Sequence, residues 1–239
     1  NLDLINDRFG RLRELPLALA AAGHEVSGIC LSYRPRDEGK FDDAQDDAQV
    51  DWHTLNLKRL LPWGSMSYWR TIDKIGKDFH PDLVWACSDA LHAILGVRVA
   101  KRLGASLVID LYDNFESFPV TRIPGMTSVF RRALRRADGI TCVSHPLSRY
   151  VRETSSCKCP IKVIENAVPE GLFYPMDQLK CRRELKLPTD GFFIGTAGAI
   201  SKSRGIETLF NAFEILAQER PEVHLVLAGS LDQDLTLPK

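Results

Sequence analysis

From Pro81 onward the sequence alternates with unusual regularity between short apolar runs and stretches with helical spacing. "PDLVWACS", "ASLVIDLYD", "DGITCVS" and "IKVIEN" read as strands. Between them stand "DALHAILGVRVAKRLG", "GMTSVFRRALRRA" and "HPLSRYVRE", which read as helices, the last with Ser144 as N-cap and Pro146 in the first turn. The strands are nearly continuous in apolar residues, so both their faces are expected to be covered. That condition fits a doubly wound, mostly parallel sheet with helices on either side. Ligands of such sheets bind beyond the carboxyl ends of the strands, where loops turn into helices.

The first eighty residues carry the same alternation less clearly. "RLRELPLALAAAG" places Leu12, Leu15, Leu19 and Ala22 on one helical stripe ending at Gly23, with Pro16 either in the first turn or kinking the helix. "HEVSGICLS" reads as a strand. "RDEGKFDDAQDDAQ", with its tandem DDAQ, reads as a solvated loop or a short exposed helix. "VDWHTLNL" and "SYWRTIDKIGKDF" read as a strand and a helix. Residues 167–190 break the rhythm with three prolines and scattered charge, which predicts a linker with a short helix near Lys180 to Leu185. Alternation restarts with "GFFIGTAG", "GIETLFNAFEILAQE" and "VHLVLAGS". The expected organisation is a first domain over residues 1–166, the linker over 167–190, and the opening of a second domain over 191–239. Two strands and a helix cannot cover a sheet on both faces, so that second domain is expected to be cut short. The first residue is not Met, so residues ahead of it are expected to be missing too.

Charge excludes one class of partner. Lys plus Arg and Asp plus Glu each number 31 in 239 residues, so no net charge draws in nucleic acid, although a local basic patch can still bind phosphate. No apolar run approaches the roughly 18 residues that span a bilayer, and the sequence shows no charged-then-apolar leader pattern. Of six cysteines, Cys30, Cys87 and Cys142 lie in apolar runs, while Cys157, Cys159 and Cys181 give one C-x-C and a single residue. A structural zinc site needs four ligands, usually as two close pairs. Reduced thiols and no metal are expected.

Familiar catalytic fingerprints are missing. There is no G-x-G-x-x-G, no phosphate-loop G-x-x-x-x-G-K-[ST], no H-E-x-x-H and no G-x-S-x-G. The distinctive stretch is "FFIGTAGAISKSRGIETLFNAF", where a strand ends in glycines, two cations follow, and a helix begins. Glycines let backbone amides approach an anion and a helix N-terminus adds partial positive charge. Lys202 and Arg204 would then suit a diphosphate; as plain residues they would equally suit an ordinary solvated turn.

Taken in order along the chain, these segments resemble glycosyltransferase family 4, the retaining nucleotide-sugar transferases of GT-B fold. "LPLALAAAGHEVSGICL" is similar to the family's first helix and Gly-His-Glu-Val entry to the next strand. "RRADGITCVSHPLSRYV" resembles its Ala-Asp strand ending in Val-Ser, and "VIENAVPEGLFYPMD" its passage between domains. "GTAGAISKSRGIETLFNAFEIL" resembles the opening of its donor-binding half. The resemblance implies an α/β GT-B fold of two Rossmann-like domains, the second truncated here.

It also implies roles. The family holds the donor diphosphate with an Arg after the first glycine and a Lys before the second. Here Gly198 is followed by Ala199, a departure, and the second position is Arg204, with Lys202 able to supply charge from the same turn. Gly10 is placed in the loop after the first strand, near the sugar phosphate, and Gly229 ends the last strand on the donor side. "DLYDNFESFP" resembles the family's Y-D-x-H-E-x-x-P strand end: Asp113 and Glu116 match, while Phe115 stands where a histidine is common. Asp113 reads either as a carboxylate near the reacting sugar or as a turn cap. His145 is a further candidate at the cleft, and Asn166 reads as fixing the crossover between domains.

The implied activity is sugar transfer from a nucleoside-diphosphate sugar to a glycan, lipid or small-molecule acceptor, with retention, by front-face attack and without a cofactor or essential metal. A GT-B sugar-nucleotide epimerase and a non-catalytic sugar- or protein-binding relative are the alternatives; Ala199 and Phe115 favour the latter. The 239-residue chain is expected not to turn over by itself, the rest of the donor site lying downstream. A cytoplasmic location is expected. "SVFRRALRRAD" sets Phe130, Ala133, Leu134 and Ala137 on one face and Arg131, Arg132, Arg135 and Arg136 on the other. That face, with Trp63 and Trp69, is either a solvated surface or a peripheral contact with anionic membrane.

Overall fold

The computed structural model describes residues 10–32, 37–45, 48–56, 65–168, 171 and 173–230. The chain divides into two compact units, Asn1–Glu170 and Gly171–Lys239.

In the first unit, β4 (Leu83–Ala86), β5 (Ser106–Leu111), β6 (Gly139–Cys142) and β7 (Ile161–Val163) form a wholly parallel sheet in that order. Helices α3 (Ala90–Leu103), α4 (Met126–Leu134) and α5 (His145–Ser155) connect them. The core is continuous from strand to helix: Leu107, Ile109 and Leu111 of β5 meet Ala93 and Ala100 of α3, and Phe130, Ala133 and Leu134 of α4. Helix α3 approaches β4 closely because residue 96 is glycine; a Cβ there would lie 2.5 Å from that of Ala86. Helices α3 and α5 begin where a short polar side chain can take an unpaired amide, whereas α4 starts from Gly125 without one. The Asp89 carboxylate accepts from His92 N at 3.0 Å, and Ser144 Oγ accepts from Leu147 N at 3.3 Å.

The first part of this unit departs from expectation in two places. Helix α1 (Gly10–Ala21) buries Leu12, Arg13, Pro16 and Leu17, while Leu19 is 41% exposed, so the inward stripe is rotated from the one apolar spacing selects. Pro16 lies inside the helix, past its first turn. The acidic run is not a loop. Asp42 and Asp43 lie on β2 (Gly39–Gln45), which pairs antiparallel with β3 (Ala48–Asn56), and β3 pairs parallel with β1 (Ser27–Ser32). One ion pair explains both departures. Arg13 turns inward because its guanidinium grips Asp43 through Nε at 2.6 Å and a second nitrogen at 2.8 Å. Lys40 adds a contact to Asp51 at 2.7 Å. A charged edge strand is also protected against pairing with another chain. Leu17, Val50 and Trp52 close the core beneath α1, and α2 (Ser65–Phe79) packs Tyr68 and Ile72 against Val99, Leu31 and Leu55.

Helix α4 separates its faces as the sequence implies, with Phe130, Ala133, Leu134 and Ala137 buried. Its arginines are not uniformly solvated, however: Arg131 binds Glu116, and Arg135 donates to Ser155 O at 3.2 Å. Trp69 is half-buried, packed edge-on to Tyr68 with Arg102 over its ring. Trp63 lies outside the described residues.

The second unit contains α6 (Gln178–Glu184), capped by Asp177, then β8 (Phe192–Ala197), α7 (Ile206–Glu219) and β9 (Val223–Ala228). Strands β8 and β9 pair in parallel, so α7 is the crossover of a βαβ unit. Ile200 and Ile206 pack with Leu209, Phe210 and Leu227 beneath it.

Candidate active site

Adjacent strands of the first unit bring their carboxyl ends to one edge, and the candidate residues sort themselves there. After β5 the chain passes through Tyr112 and Asp113 into a 3-10 turn, Phe115–Ser117. Asp113 is exposed, its Oδ1 accepting from Asn114 N at 2.7 Å. The cap of the turn is Asn114, whose Oδ1 accepts from Glu116 N at 3.1 Å. His145, exposed at the first position of α5, stands after the neighbouring strand β6. Ser88, after β4 on the other side, has φ 97°, a conformation non-glycine residues rarely hold without a local reason.

Phe115 and Glu116 point elsewhere. Phe115 is 1% exposed, packed among Tyr112, Phe118 and Phe130 with ring centroids 5.4, 5.4 and 6.2 Å away. Glu116 receives two bonds from Arg131, at 2.8 and 2.6 Å, and one from Tyr150 Oη at 3.0 Å. The Arg131 bond is the main reason that its carboxyl is held below the usual range; burial opposes the shift and Tyr150 assists it. Both carboxylate oxygens are therefore engaged in tying the turn to α4 and α5.

Behind this edge lies a constellation that motif matching missed. Asp110 of β5 is fully buried. Its Oδ1 accepts from Arg11 at 2.9 Å and from Thr141 Oγ1 at 2.5 Å. Burial pushes its carboxyl upward, against Thr141 and Arg11, which hold the charged form. Arg11 also donates to Ile164 O at 2.8 Å and to Asn166 Oδ1 at 3.0 Å. The signal was present: an acid inside the apolar run "LVIDL" needs a buried partner. Gly10 opens α1 with φ 44°, and lies within the helix's first turn rather than in a loop ahead of it. Burial raises Tyr112 to about 12, with the Asp89 and Asp113 carboxylates adding to it, and burial likewise raises the Cys87 thiol to about 12. No group of three metal-ligating side chains occurs among the described residues.

In the second unit the two strand ends touch backbone to backbone. Gly198 follows β8 with φ 122° and Gly229 follows β9 with φ 151°. A Cβ on Gly229 would lie 1.8 Å from Gly198 O, so no side chain fits between them. Gly198 N donates to Ala228 O at 2.8 Å, and Ile200 N to Ser230 O at 2.9 Å, which carries the pairing past the strands. The next residues form a 3-10 turn, Lys202–Arg204, closed by Gly205 ahead of α7. Lys202 Nζ is 3.1 Å from Glu207 Oε1, and both side chains are largely exposed. Arg204 is exposed, and its guanidinium has no partner among the described residues. Ala199 offers no charge.

Comparison with known proteins follows this geometry. The chain resembles sucrose-phosphate synthase from Thermosynechococcus elongatus, at 20% identity and TM-score 0.69, over 94% of this chain and 57% of that one. It resembles HepE of Anabaena in complex with UDP, at 21% identity and TM-score 0.56, over 76% and 48%. A third structure is the UDP-forming α,α-trehalose-phosphate synthase from Burkholderia xenovorans in complex with glucose-6-phosphate, at 12% identity and TM-score 0.59, over 98% and 65%. At such identities the likeness establishes the fold, GT-B, and the chain spans about half to two thirds of these proteins. Comparison with curated proteins gave no match. The model of Glycosyltransferase Family 4 matches residues 11–171, the stretch that holds the sheet edge, the Arg11–Asp110 pair and the exit from β7, and the chain belongs to that family.

Proposed function

We propose that this chain carries the acceptor side, and the opening of the donor side, of a retaining glycosyltransferase. It would move a sugar from a nucleoside-diphosphate sugar to a hydroxyl of a glycan, lipid or small-molecule acceptor. The observation that carries the reading is the junction at Gly198, Gly229 and Arg204. Two glycine backbones leave a floor without side chains at the carboxyl ends of parallel strands, and a helix N-terminus follows Gly198 in the chain with a guanidinium that has no partner among the described residues. That combination suits a diphosphate. HepE of Anabaena, bound to UDP and to UDP-glucose in its solved structures, makes uridine nucleotides the first donors to test.

In this mechanism Arg204 neutralises the leaving diphosphate, joined by Lys202 once its exposed pair with Glu207 opens. The supplied positive charge is then the protein's own, and no metal is required. Retention by front-face attack lets a leaving-phosphate oxygen take the acceptor proton. Asp113, exposed after β5, would stabilise an oxocarbenium-like sugar, and His145 would orient an acceptor hydroxyl. Glu116, spent on Arg131 and Tyr150, acts by holding the turn that presents Asp113. The exposed Arg132 and Arg136 and the exposed apolar Ile123 and Val129, all between residues 123 and 136, would offer a surface for a lipid-linked acceptor's membrane.

Calorimetric titration of UDP against uridine tests the donor reading. A lost charge-assisted bond costs roughly 1.5–3 kcal/mol, so Arg204→Ala is expected to weaken UDP about tenfold to a hundredfold and leave uridine unchanged. Lys202→Ala, exposed and already paired, is expected to weaken UDP less. Equal losses of both ligands would indicate misfolding, and an unchanged UDP affinity would leave these cations as solvated residues.

A further inference from the structure

We infer that Arg11 and Asp110 form a clamp that fixes the path by which the chain leaves the first unit, and that they are positioning residues for transfer. The inference deepens the proposed activity and rests on it for its kinetic arm.

The exit segment is poorly held by anything else. Beyond β7, residues 164–168 have no regular structure and every one is exposed, Ile164 by 40% and Val168 by 63%. Ile164 N reaches Cys142 O at 2.9 Å, the last backbone bond of the ladder. From there the described contacts of the segment are those to Arg11, one on the Ile164 carbonyl and one on the Asn166 side chain.

The guanidinium is itself immobilised. Its side chain is 8% exposed, and one terminal nitrogen holds Asp110 while the other holds both exit contacts. Asp110 is locked in turn by Thr141 on the adjacent strand. The arrangement carries a cost. Arg11 Nε and Asp110 Oδ2 are buried without a partner, so one carboxylate oxygen takes every bond and the other takes none. A pair built for stability alone would be expected to use the fork on both oxygens. Here the second arm of the fork is turned away from Asp110 and onto the exit segment. Four points of the fold thereby share one cation: the start of α1, β5, β6 through Thr141, and the segment after β7. Asp113 lies three residues beyond Asp110, so the same strand end that presents the candidate carboxylate also fixes the exit.

Lysine keeps the charge beside Asp110 but cannot bridge both sites, so Arg11→Lys tests the clamp without stranding a buried acid. Asn166→Ala is the second variant, since it alters an exposed side chain only. Hydrogen–deuterium exchange on the 239-residue chain reads the clamp directly. The amide of Ile164, which donates to Cys142 O at the end of the ladder, is expected to exchange about tenfold faster in Arg11→Lys, while those of β5 stay within about twofold. In the full-length enzyme, kcat is expected to fall about tenfold or more in Arg11→Lys and severalfold in Asn166→Ala. Donor KM and melting temperature should hold for Asn166→Ala, since small misplacements cost rate before they cost binding. Unchanged exchange at Ile164 in a folded Arg11→Lys would overturn the clamp. Faster exchange with unchanged kcat in both variants would overturn its positioning role. A wild-type enzyme that transfers no sugar would instead count against the proposed activity, and the exchange arm would still decide the clamp.

Discussion

Replacing Phe115 by histidine separates a position in a motif from a position in space. The family resemblance puts a histidine at this site and invites Phe115→His as a restoration of activity. The structure implies the opposite, because residue 115 points into the aromatic cluster of Tyr112, Phe118 and Phe130 and not toward a ligand. Withdrawing a buried phenyl ring forfeits about 1.5–3 kcal/mol of transfer energy. Leaving an imidazole there without partners costs about 1–3 kcal/mol more. The sum, about 2.5–6 kcal/mol, is a large part of a typical domain's stability. For a chain of this size it lowers the melting temperature by about 5–24 °C. The loss also depends on pH with a definite sign. A buried, unpaired imidazole has a folded pKa below its unfolded value of about 6.5, so the unfolded chain takes up a proton that the folded chain does not. The variant's stability is present above pH ~6.5 and falls as pH drops, by up to about 1.4 kcal/mol per pH unit. Thermal melts by circular dichroism at pH 7.5 and 5.5 measure both effects. A variant melting within about 2 °C of the wild type at both pH values would refute the reasoning.

Glu116→Gln is expected to cost about 1–2 kcal/mol at pH 7, since glutamine keeps one acceptor and the partly exposed Arg131 can rehydrate. The folded pKa of Glu116 is depressed, so its contribution is present above its unfolded value and lost as pH falls through the folded one. The gap between wild type and variant in urea denaturation should therefore close below pH ~4. Gly229→Ala should abolish UDP binding while leaving the first unit's melting intact, because its Cβ would lie 1.8 Å from a backbone oxygen; titration with UDP beside a two-probe melt checks it. Vesicle flotation tests the surface of α4: Arg132→Glu with Arg136→Glu should reduce recovery with anionic lipid, and equal wild-type recovery with neutral and anionic vesicles would end the membrane reading.

The parallel sheet was legible because strands buried on both faces write themselves as unbroken apolar runs, and "LVIDL" or "GITC" can be little else. Helix α1 was legible as a helix but not in its rotation. Apolar spacing chose Leu12, Leu15 and Leu19, and had no means to see that Arg13 would meet Asp43 thirty residues away and turn inward with it. The same unseen pair made a strand of an acidic run that composition assigns to solvent. Local pattern measures the average environment of a residue; it does not register a single long-range partner strong enough to reverse it.

The candidate site shows where that limit falls on function. Spacing placed Asp113, Phe115 and Glu116 together at the end of β5, and all three are there. What spacing lacks is direction. Within a 3-10 turn successive side chains leave at about 120° to one another, so neighbours in a motif part company at once. Asp113, ahead of the turn, stays in solvent; Phe115 enters the core; Glu116 is taken by Arg131 and Tyr150. Asp110, which no motif flagged, is in turn buried and held by Arg11. A residue offered for chemistry must have an atom left over for a ligand, and that is decided by the partners the rest of the fold brings to it. By this criterion Asp113 and His145 in the first unit, and Arg204 in the second, are exposed with atoms left over among the described residues, whereas Glu116, Asp110 and Arg11 are committed to holding the first unit together.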